Sequence, residues 1–213
     1  MSAEHGPDAP RRMPVQLITV DEVVHAADDL ARRILAHGPP PDTIVAIARG
    51  GFMPARFLCD FLGVHRLLSL KVEHYTAGAR ARQRAAVTIP LAGEIRDERV
   101  LLVDDVNDSG DTLNAARPHL EALGPATLHT AVLHEKDRTT CRADFCSQAV
   151  HEWRWILYPW AVVEDVGQFI REMDPPPASR AALHARLQGD YGLRLAPEQL
   201  ERVIRYNGLD IPL

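Results

Sequence analysis

The chain has 213 residues, enough for one substantial α/β domain with a small appendage. Charged residues make up 25% and hydrophobic residues 46%, a globular balance that excludes a largely disordered chain. The net charge of −5 argues against a broad basic surface for nucleic acid or anionic membrane, so any polyanion site must be built locally from backbone amides, a few cations or a metal.

Residues 1–13, with Gly6, Pro7, Pro10, Arg11 and Arg12, read as a loose polar tail. The first fourteen residues carry no apolar signal-peptide run, and no stretch reaches transmembrane length, which predicts a cytoplasmic protein without membrane contact. Val15 to Thr19 is strand-like. Asp21 is placed to cap a helix whose apolar positions Val23, Val24, Ala27, Leu30, Ala31, Ile34 and Leu35 keep helical spacing as far as Gly38 and three prolines. Thr43 to Ala48 is a continuous apolar run, as in a strand buried on both faces. Arg49, Gly50 and Gly51 follow at once, ahead of a helix from Pro54 to Leu62. Leu67 to Val72 is the next strand, and residues 73–98 are polar and arginine-rich with no clear period. Val100 to Val103 is another apolar strand, followed by a loop and a helix from about Asp111 to Leu123 that ends at Gly124 and Pro125. Thr127 to Leu133 and Trp155 to Leu157 supply two further strands. Pro175, Pro176 and Pro177 form a semi-rigid linker, beyond which 179–189 and 197–206 read as short helices, the second stopped by Asn207 and Gly208.

Strands interleaved with helices imply parallel β-α-β units, hence an α/β fold with a doubly wound, mostly parallel sheet. Such sheets bind ligands beyond the C-terminal ends of their strands, so residues that follow strands become the candidates. Cys59, Cys141 and Cys146 are odd in number and include no C-x-x-C, which fits a reducing compartment rather than a disulfide framework. Zinc on Cys141 and Cys146 would need two further ligands, for which His134 and His151 are poor candidates.

The segment from Val100 to Thr112 carries the chemistry. Four apolar residues form a strand, Asp104 and Asp105 close it, and a turn of Asp108, Ser109 and Gly110 leads into the helix that begins near Asp111 and Thr112. A helix N-terminus offers unpaired N–H groups and a partial positive charge suited to a phosphate monoester, with Ser109 and Thr112 adding hydroxyl donors and Gly110 letting the backbone come close. Carboxylates would repel that phosphate, so Asp104 and Asp105 suit sugar hydroxyls or a hydrated Mg²⁺. The glycine pair in Arg49-Gly50-Gly51 permits backbone geometry closed to other residues and turns amides toward an anion, while Arg49 adds a fixed charge.

The Val100–Thr112 segment resembles the signature that binds 5-phosphoribosyl-1-diphosphate (PRPP) in type I phosphoribosyltransferases. That resemblance implies the type I phosphoribosyltransferase fold over residues 14–174, with a small hood region around 134–165 and a lid around 73–98; the Pro linker and helical extension over 175–213 depart from the short bacterial enzymes of the family. It places Asp104 and Asp105 against the ribose 2′- and 3′-hydroxyls, and Asp108, Ser109, Gly110, Asp111 and Thr112 around the 5′-phosphate. Asp108 takes the place of the carboxylate that handles the purine N7 proton. The Arg49-Gly50-Gly51 turn is similar to the family's diphosphate loop. Lys71 stands with it at the end of the next strand, and Arg80, Arg82, Arg84, Arg96 and Arg99 fall in or beside the lid. His134-Glu135-Lys136-Asp137 at a strand end, with Trp155-Ile156-Leu157-Tyr158-Pro159-Trp160 downstream, resembles the bacterial xanthine–guanine and related 6-oxopurine enzymes. Lys136 then donates to the purine 6-oxo group, Trp155 stacks on the ring and the backbone of Ile156 reads its edge. Trp153 and Trp160 are assigned to the core. The resemblance also implies Mg²⁺, PRPP and a purine base as ligands, and a homo-oligomer.

Other readings of the same residues exist. Leu101-Leu102-Val103-Asp104-Asp105 also fits a Walker B strand, but the chain has no G-x-x-x-x-G-K-[ST]. A phospho-acceptor receiver domain would carry its acidic pair nearer the start. A PRPP-sensing regulator without catalysis is the rival from another class, supported by the tail arginines Arg180, Arg186, Arg194, Arg202 and Arg205. A non-purine acceptor is the rival within the enzyme class.

Overall fold

The structure is a computed structural model that describes residues 13–77 and 82–212. Most of the expected tail, and Arg80 of the expected lid, lie outside the described residues. The described residues divide into two compact units, one within Asp21–Glu152 and the other joining residues 13–20 to 153–212. The division between Glu152 and Trp153 falls inside the stretch expected as the hood, and Pro175–Pro177 sits within the second unit.

The larger unit is built on a six-stranded sheet of β2 (Thr43–Ala48), β3 (Leu67–Ala77), β4 (Arg82–Ile89), β5 (Arg99–Asn107), β6 (Thr127–Lys136) and β7 (Phe145–Val150), in the spatial order β4-β3-β2-β5-β6-β7. All neighbours run parallel except β4, which returns antiparallel along β3. Val45 and Ile47 of β2, Leu70 of β3, and Val100 and Leu102 of β5 share one apolar cluster with Leu113, Ala116 and Leu120 of helix α3 (Asp111–Glu121). The alternate residues Ile44, Ala46, Leu101 and Val103 point to the opposite face and are equally buried, which explains why β2 and β5 read as unbroken apolar runs. Helix α1 (Val20–His37) buries Val23, Ala27, Leu30, Ala31 and Ile34. It starts one residue before Asp21, so Asp21 lies in the first turn and does not cap it. Helix α2 (Phe52–Leu62) ends at Gly63, whose φ of 66° gives the left-handed cap expected of a glycine.

Two strands lie where none was assigned. The stretch after β3 is an antiparallel return strand, β4, with Val72 paired to Val87 and Glu73 to Ala86. Its arginines interrupt any alternation, so periodicity alone hides it. β7 is an edge strand that pairs only with β6, and its outward residues Gln148 and Ala149 are exposed. Asp144 ties its start to the sheet by accepting from Thr130 N (2.8 Å), Thr130 Oγ1 (2.9 Å) and Arg117 (3.0 Å).

The second unit pairs β1 (Val15–Leu17) with β8 (Trp155–Leu157) in parallel. Helix α4 (Val162–Arg171), which was not anticipated, buries Val162, Val166, Phe169 and Ile170 in one cluster with Leu183, Leu187, Tyr191, Leu200, Val203 and Ile204. These come from α5 (Arg180–Arg186), a π-helical turn (Leu187–Tyr191) and α6 (Pro197–Asn207). Gly167 of α4 is required by close approach: a Cβ there would lie 2.3 Å from Asn207 Oδ1, and the same Asn207 amide donates to Val163 O at 2.8 Å. The extension is therefore part of this unit's core. Several of its arginines are engaged locally: Arg180 with Glu201, Arg186 with Asp190, Arg194 with Gln188 and Arg202 with the Glu198 carbonyl.

Candidate active site

Strand β2 neighbours β3 on one side and β5 neighbours β6 on the other, so the connections that leave their C-terminal ends diverge and open a cleft. Pairing between β2 and β5 stops at Ala46 with Val103, whereas β5 stays on β6 as far as Asn107 with Glu135. Asp104 and Asp105 therefore lie inside β5, beyond its last contact with β2, and border the gap.

The Arg49-Gly50-Gly51 turn fills the other side of that gap. Arg49 is exposed, and the peptide joining it to Ala48 is cis. Gly51 has φ −65° and ψ −13°, angles open to any residue, so the expectation that the glycines supply unusual dihedrals does not hold for it. What both supply is space. A Cβ on Gly51 would lie 2.4 Å from Val103 O and 2.8 Å from Ile47 O; one on Gly50 would lie 2.2 Å from Asp105 Oδ2. The diphosphate-type turn and the acidic strand are thus in contact through Gly50 and Asp105. Lys71 stands opposite Ala48 in the β2–β3 register, with its ammonium 2.5 Å from Glu73 Oε1.

Asp105 lies against Gly50, and the Asp104 carboxyl is close enough to the Asp105 carboxyl to hydrogen-bond with it. Asp104 is 8% exposed and Asp105 half-buried. Burial, and then the neighbouring charge of Asp105, raise the Asp104 carboxyl well above the ordinary carboxylate range. Each carboxylate also accepts from the following backbone N–H, Asp104 from Asp105 at 3.0 Å and Asp105 from Val106 at 2.8 Å. Among the described residues no group of three or more His, Cys, Asp and Glu side chains gathers as a metal cage. An oxygen-only pair containing a buried acid fits Mg²⁺, which keeps much of its shell as water and substrate oxygens.

The turn from Asp108 to Thr112 is held from behind. Gly110 adopts φ 91°, and a Cβ there would meet Cys141 N at 2.6 Å and Thr139 Oγ1 at 2.8 Å. Its glycine is thus demanded by both dihedral and packing. Thr140 clamps the same turn, its N–H and hydroxyl both donating to Ser109 O at 2.9 Å. Ser109 donates to Asp111 Oδ2 at 2.7 Å, and Asp111 and Thr112 open the first turn of α3, half-buried at the helix end where amide groups lack intrahelical partners.

Asp108 meets two cations. Lys136 Nζ donates to Oδ2 at 2.8 Å, and Arg138 Nε donates to Oδ1. Burial pushes the Asp108 carboxyl up, but Arg138 and Lys136 outweigh it and leave it below its ordinary value. Lys136 is itself enclosed, with its side chain only 4% exposed.

The sequence profile of the family described as the phosphoribosyl transferase domain matches residues 18–165. This chain belongs to that family. A xanthine-guanine phosphoribosyltransferase from Ruegeria sp. is 30% identical over 162 residues, which cover 71% of this chain and 89% of that one. Among solved structures, a purine phosphoribosyltransferase from Pyrococcus horikoshii superposes with a TM-score of 0.62 at 32% identity, covering 70% of this chain and 94% of the other. A Neisseria gonorrhoeae protein solved with ppGpp bound gives 0.63 at 28% identity, over 70% and 89%.

Behind the loops of this phosphoribosyltransferase lies a polar network that the sequence reading passed over. Glu135, 6% exposed, accepts from Asn107 Nδ2 (2.8 Å), from Ala143 N (2.8 Å) and from Arg142 (3.0 Å). Asn107 also donates to Cys141 O at 2.7 Å and accepts from Thr139 Oγ1 at 3.1 Å. The network joins the ends of β5 and β6 to the 139–143 loop, and that loop carries the Thr139, Thr140 and Cys141 contacts behind Gly110. Arg138 was also missed. The available signal was the charge density of Glu135-Lys136-Asp137-Arg138 directly after an apolar strand.

Trp155 and Ile156 belong to β8 of the smaller unit. The Trp155 indole is 37% exposed, and its Nε1–H donates to Asp165 Oδ2 at 2.7 Å, so the ring is pinned by its edge. Ile156 is buried and pairs with Gln16. Trp153 is 40% exposed, contrary to the core assignment; Trp160 is half-buried and stacks on Tyr158, with centroids 4.7 Å apart.

Proposed function

We propose that this chain transfers the 5-phosphoribosyl group of PRPP to a ring nitrogen of a 6-oxopurine, releasing diphosphate, as a step of purine salvage. The observation that carries this reading is the contact of Gly50 with Asp105 across the β2–β5 gap. It sets an anion-binding turn against an acidic strand end, with the α3 N-terminus next along the same chain segment. That arrangement suits a ligand phosphorylated at both ends of a sugar. The relatives named as xanthine-guanine and purine enzymes support a 6-oxopurine as acceptor.

On this reading Arg49, the amides of Gly50 and Gly51, and Lys71 hold the diphosphate. The turn from Asp108 to Thr112 holds the 5′-phosphate, and Asp105 and Asp104 take the ribose hydroxyls. Both ends of PRPP are then fixed, which orients C1 for displacement. Mg²⁺, held by Asp104 and Asp105 largely through water, supplies positive charge to the departing diphosphate when bound. As the base nitrogen bonds to C1 and the C1–O bond breaks, Asp108 accepts the N7 proton or its hydrogen bond. Lys136 donates to the 6-oxo group. Three free thiols agree with a cytoplasmic setting. A homo-oligomer, which the resemblance implies, belongs to the same reading.

The test is incubation of the purified chain with PRPP, Mg²⁺ and hypoxanthine, guanine or xanthine, following nucleotide formation and diphosphate release. PRPP binding without turnover on any of the three would favour the regulator instead. Asp108→Asn is expected to keep PRPP affinity and to lower kcat by about 10²–10⁴-fold, the usual worth of a positioned acid or base; an unchanged kcat refutes the role given to Asp108.

A further inference from the structure

We propose that Arg138 is a positioning residue for the transfer reaction, holding Asp108 by Oδ1 so that the carboxylate stays aimed while Lys136, on Oδ2, turns a proton toward the substrate. The assignment rests on the reading of Asp108 as the acceptor at N7.

The geometry leads there as follows. Asp108 sits at the lip of the phosphate turn, where a single-bonded carboxylate would swing about its side-chain torsions. Two donors on two different oxygens remove that freedom, and they come from alternate positions of one segment, Lys136 and Arg138. Lys136 is the more enclosed of the two, its side chain 4% exposed against 56% for Arg138. An ammonium has three donors and a compact head, whereas a guanidinium grips with a planar fork and holds direction better. With Lys136 alone, each move of its ammonium toward a ligand would loosen Asp108 and leave a partly buried carboxylate less well compensated. With Arg138 in place the charge is still met and the plane of the carboxylate is still set. Burial acting against two cations leaves Asp108 ionised and a modest base, so aim matters more to it than proton affinity. Arg138 itself lies in the loop that Thr139, Thr140 and Cys141 anchor behind Gly110. The brace on Asp108 and the backing of the phosphate turn therefore share one support.

The experiment compares the native chain with Arg138→Gln, Arg138→Lys, Asp108→Asn and the Asp108→Asn/Arg138→Gln pair, each assayed with PRPP, Mg²⁺ and the preferred base. Arg138 is mostly solvent-facing, so all variants should fold, and thermal melts check it. Arg138→Gln is expected to lower kcat about tenfold, within the range that misplacement of a reacting group produces, with KM for PRPP unchanged within twofold. Arg138→Lys should recover a large part of the loss. Arg138→Gln should have no further effect once Asp108 is Asn, because there is no carboxylate left to aim. A kcat for Arg138→Gln equal to native, a loss shared equally by KM for PRPP, or additive losses in the pair would each overturn the role of Arg138. Asp108→Asn with native kcat would instead remove the reading of Asp108 and this role with it, so the two failures are told apart.

Discussion

A single methyl group added at two neighbouring positions separates the structural from the binding role of the Arg49-Gly50-Gly51 turn. In Gly51→Ala the new Cβ would fall 2.4 Å from Val103 O, 2.8 Å from Ile47 O and 2.9 Å from Ile47 N, all backbone atoms of the two central strands. None of these can rotate away, so β2 and β5 must part. Overpacking of this kind costs about 1–3 kcal/mol, and three backbone collisions put this case at the upper end. A chain of this size loses about 2–4 °C of Tm per kcal/mol, which gives a fall of roughly 6–12 °C. In Gly50→Ala the collision is with the end of the Asp105 side chain, at 2.2–2.6 Å. That carboxylate can swing aside for about 1 kcal/mol of rotamer cost, or a few degrees of Tm. On the proposed function the displaced carboxylate would no longer reach the ribose, and PRPP affinity is then expected to fall at least tenfold, about 1.4 kcal/mol. Thermal melts and titration calorimetry with PRPP and Mg²⁺ read the two effects separately. The reasoning fails if Gly51→Ala melts within 2 °C of native, about the shift of a mild 1 kcal/mol substitution at most, or if Gly50→Ala binds PRPP normally.

Two other perturbations have defined signs. Glu135→Ala removes the acceptor of one Asn107 Nδ2 hydrogen and of Ala143 N, while Arg142, 56% exposed, can turn to water. At about 1–3 kcal/mol for each buried donor stranded, a loss of about 3 kcal/mol in urea unfolding is expected, with KM for PRPP raised as the 139–143 loop loosens; a stability change under 1 kcal/mol, the worth of an ordinary exposed bond, would refute the burial argument. The side-chain and backbone donors of Arg99, ahead of the smaller opposing effect of burial, hold the Asp42 carboxyl down at about 2. Its folded value lies below its unfolded one, so its contribution is full above about pH 4 and disappears as the pH falls toward 2. With the two side chains 42% and 38% exposed, screening leaves about 1 kcal/mol or less. The stability gap between native and Asp42→Asn should therefore shrink between pH 7 and pH 3, and a constant gap would contradict it.

The central strands and the helices after them were legible because each obeys one strong rule. β2 and β5 are apolar on both faces, and α1 and α2 repeat their apolar residues at helical spacing up to a glycine stop. β4 and β7 obey neither, because each lies at a sheet edge and owes its form to a neighbour's hydrogen bonds, not to its own pattern. α4 was obscured by Gly167, an unfavourable helix residue retained because Asn207 lies against it. At the candidate site, Asp105 and the 108–112 turn could be singled out from sequence because they lie on one contiguous motif. Arg138, Glu135 and Arg142 were not, since what distinguishes them is what faces them in the fold: Asp108 for the first, Asn107 and Ala143 for the second, Glu135 for the third.

Because, among the described residues, β1 pairs with β8 about 140 positions later, that pairing cannot form until most of the chain has left the ribosome. At about 5–20 residues per second, the first strand waits some 7–28 seconds for its mate. Throughout that interval Val15 and Leu17 remain open to any other strand edge nearby.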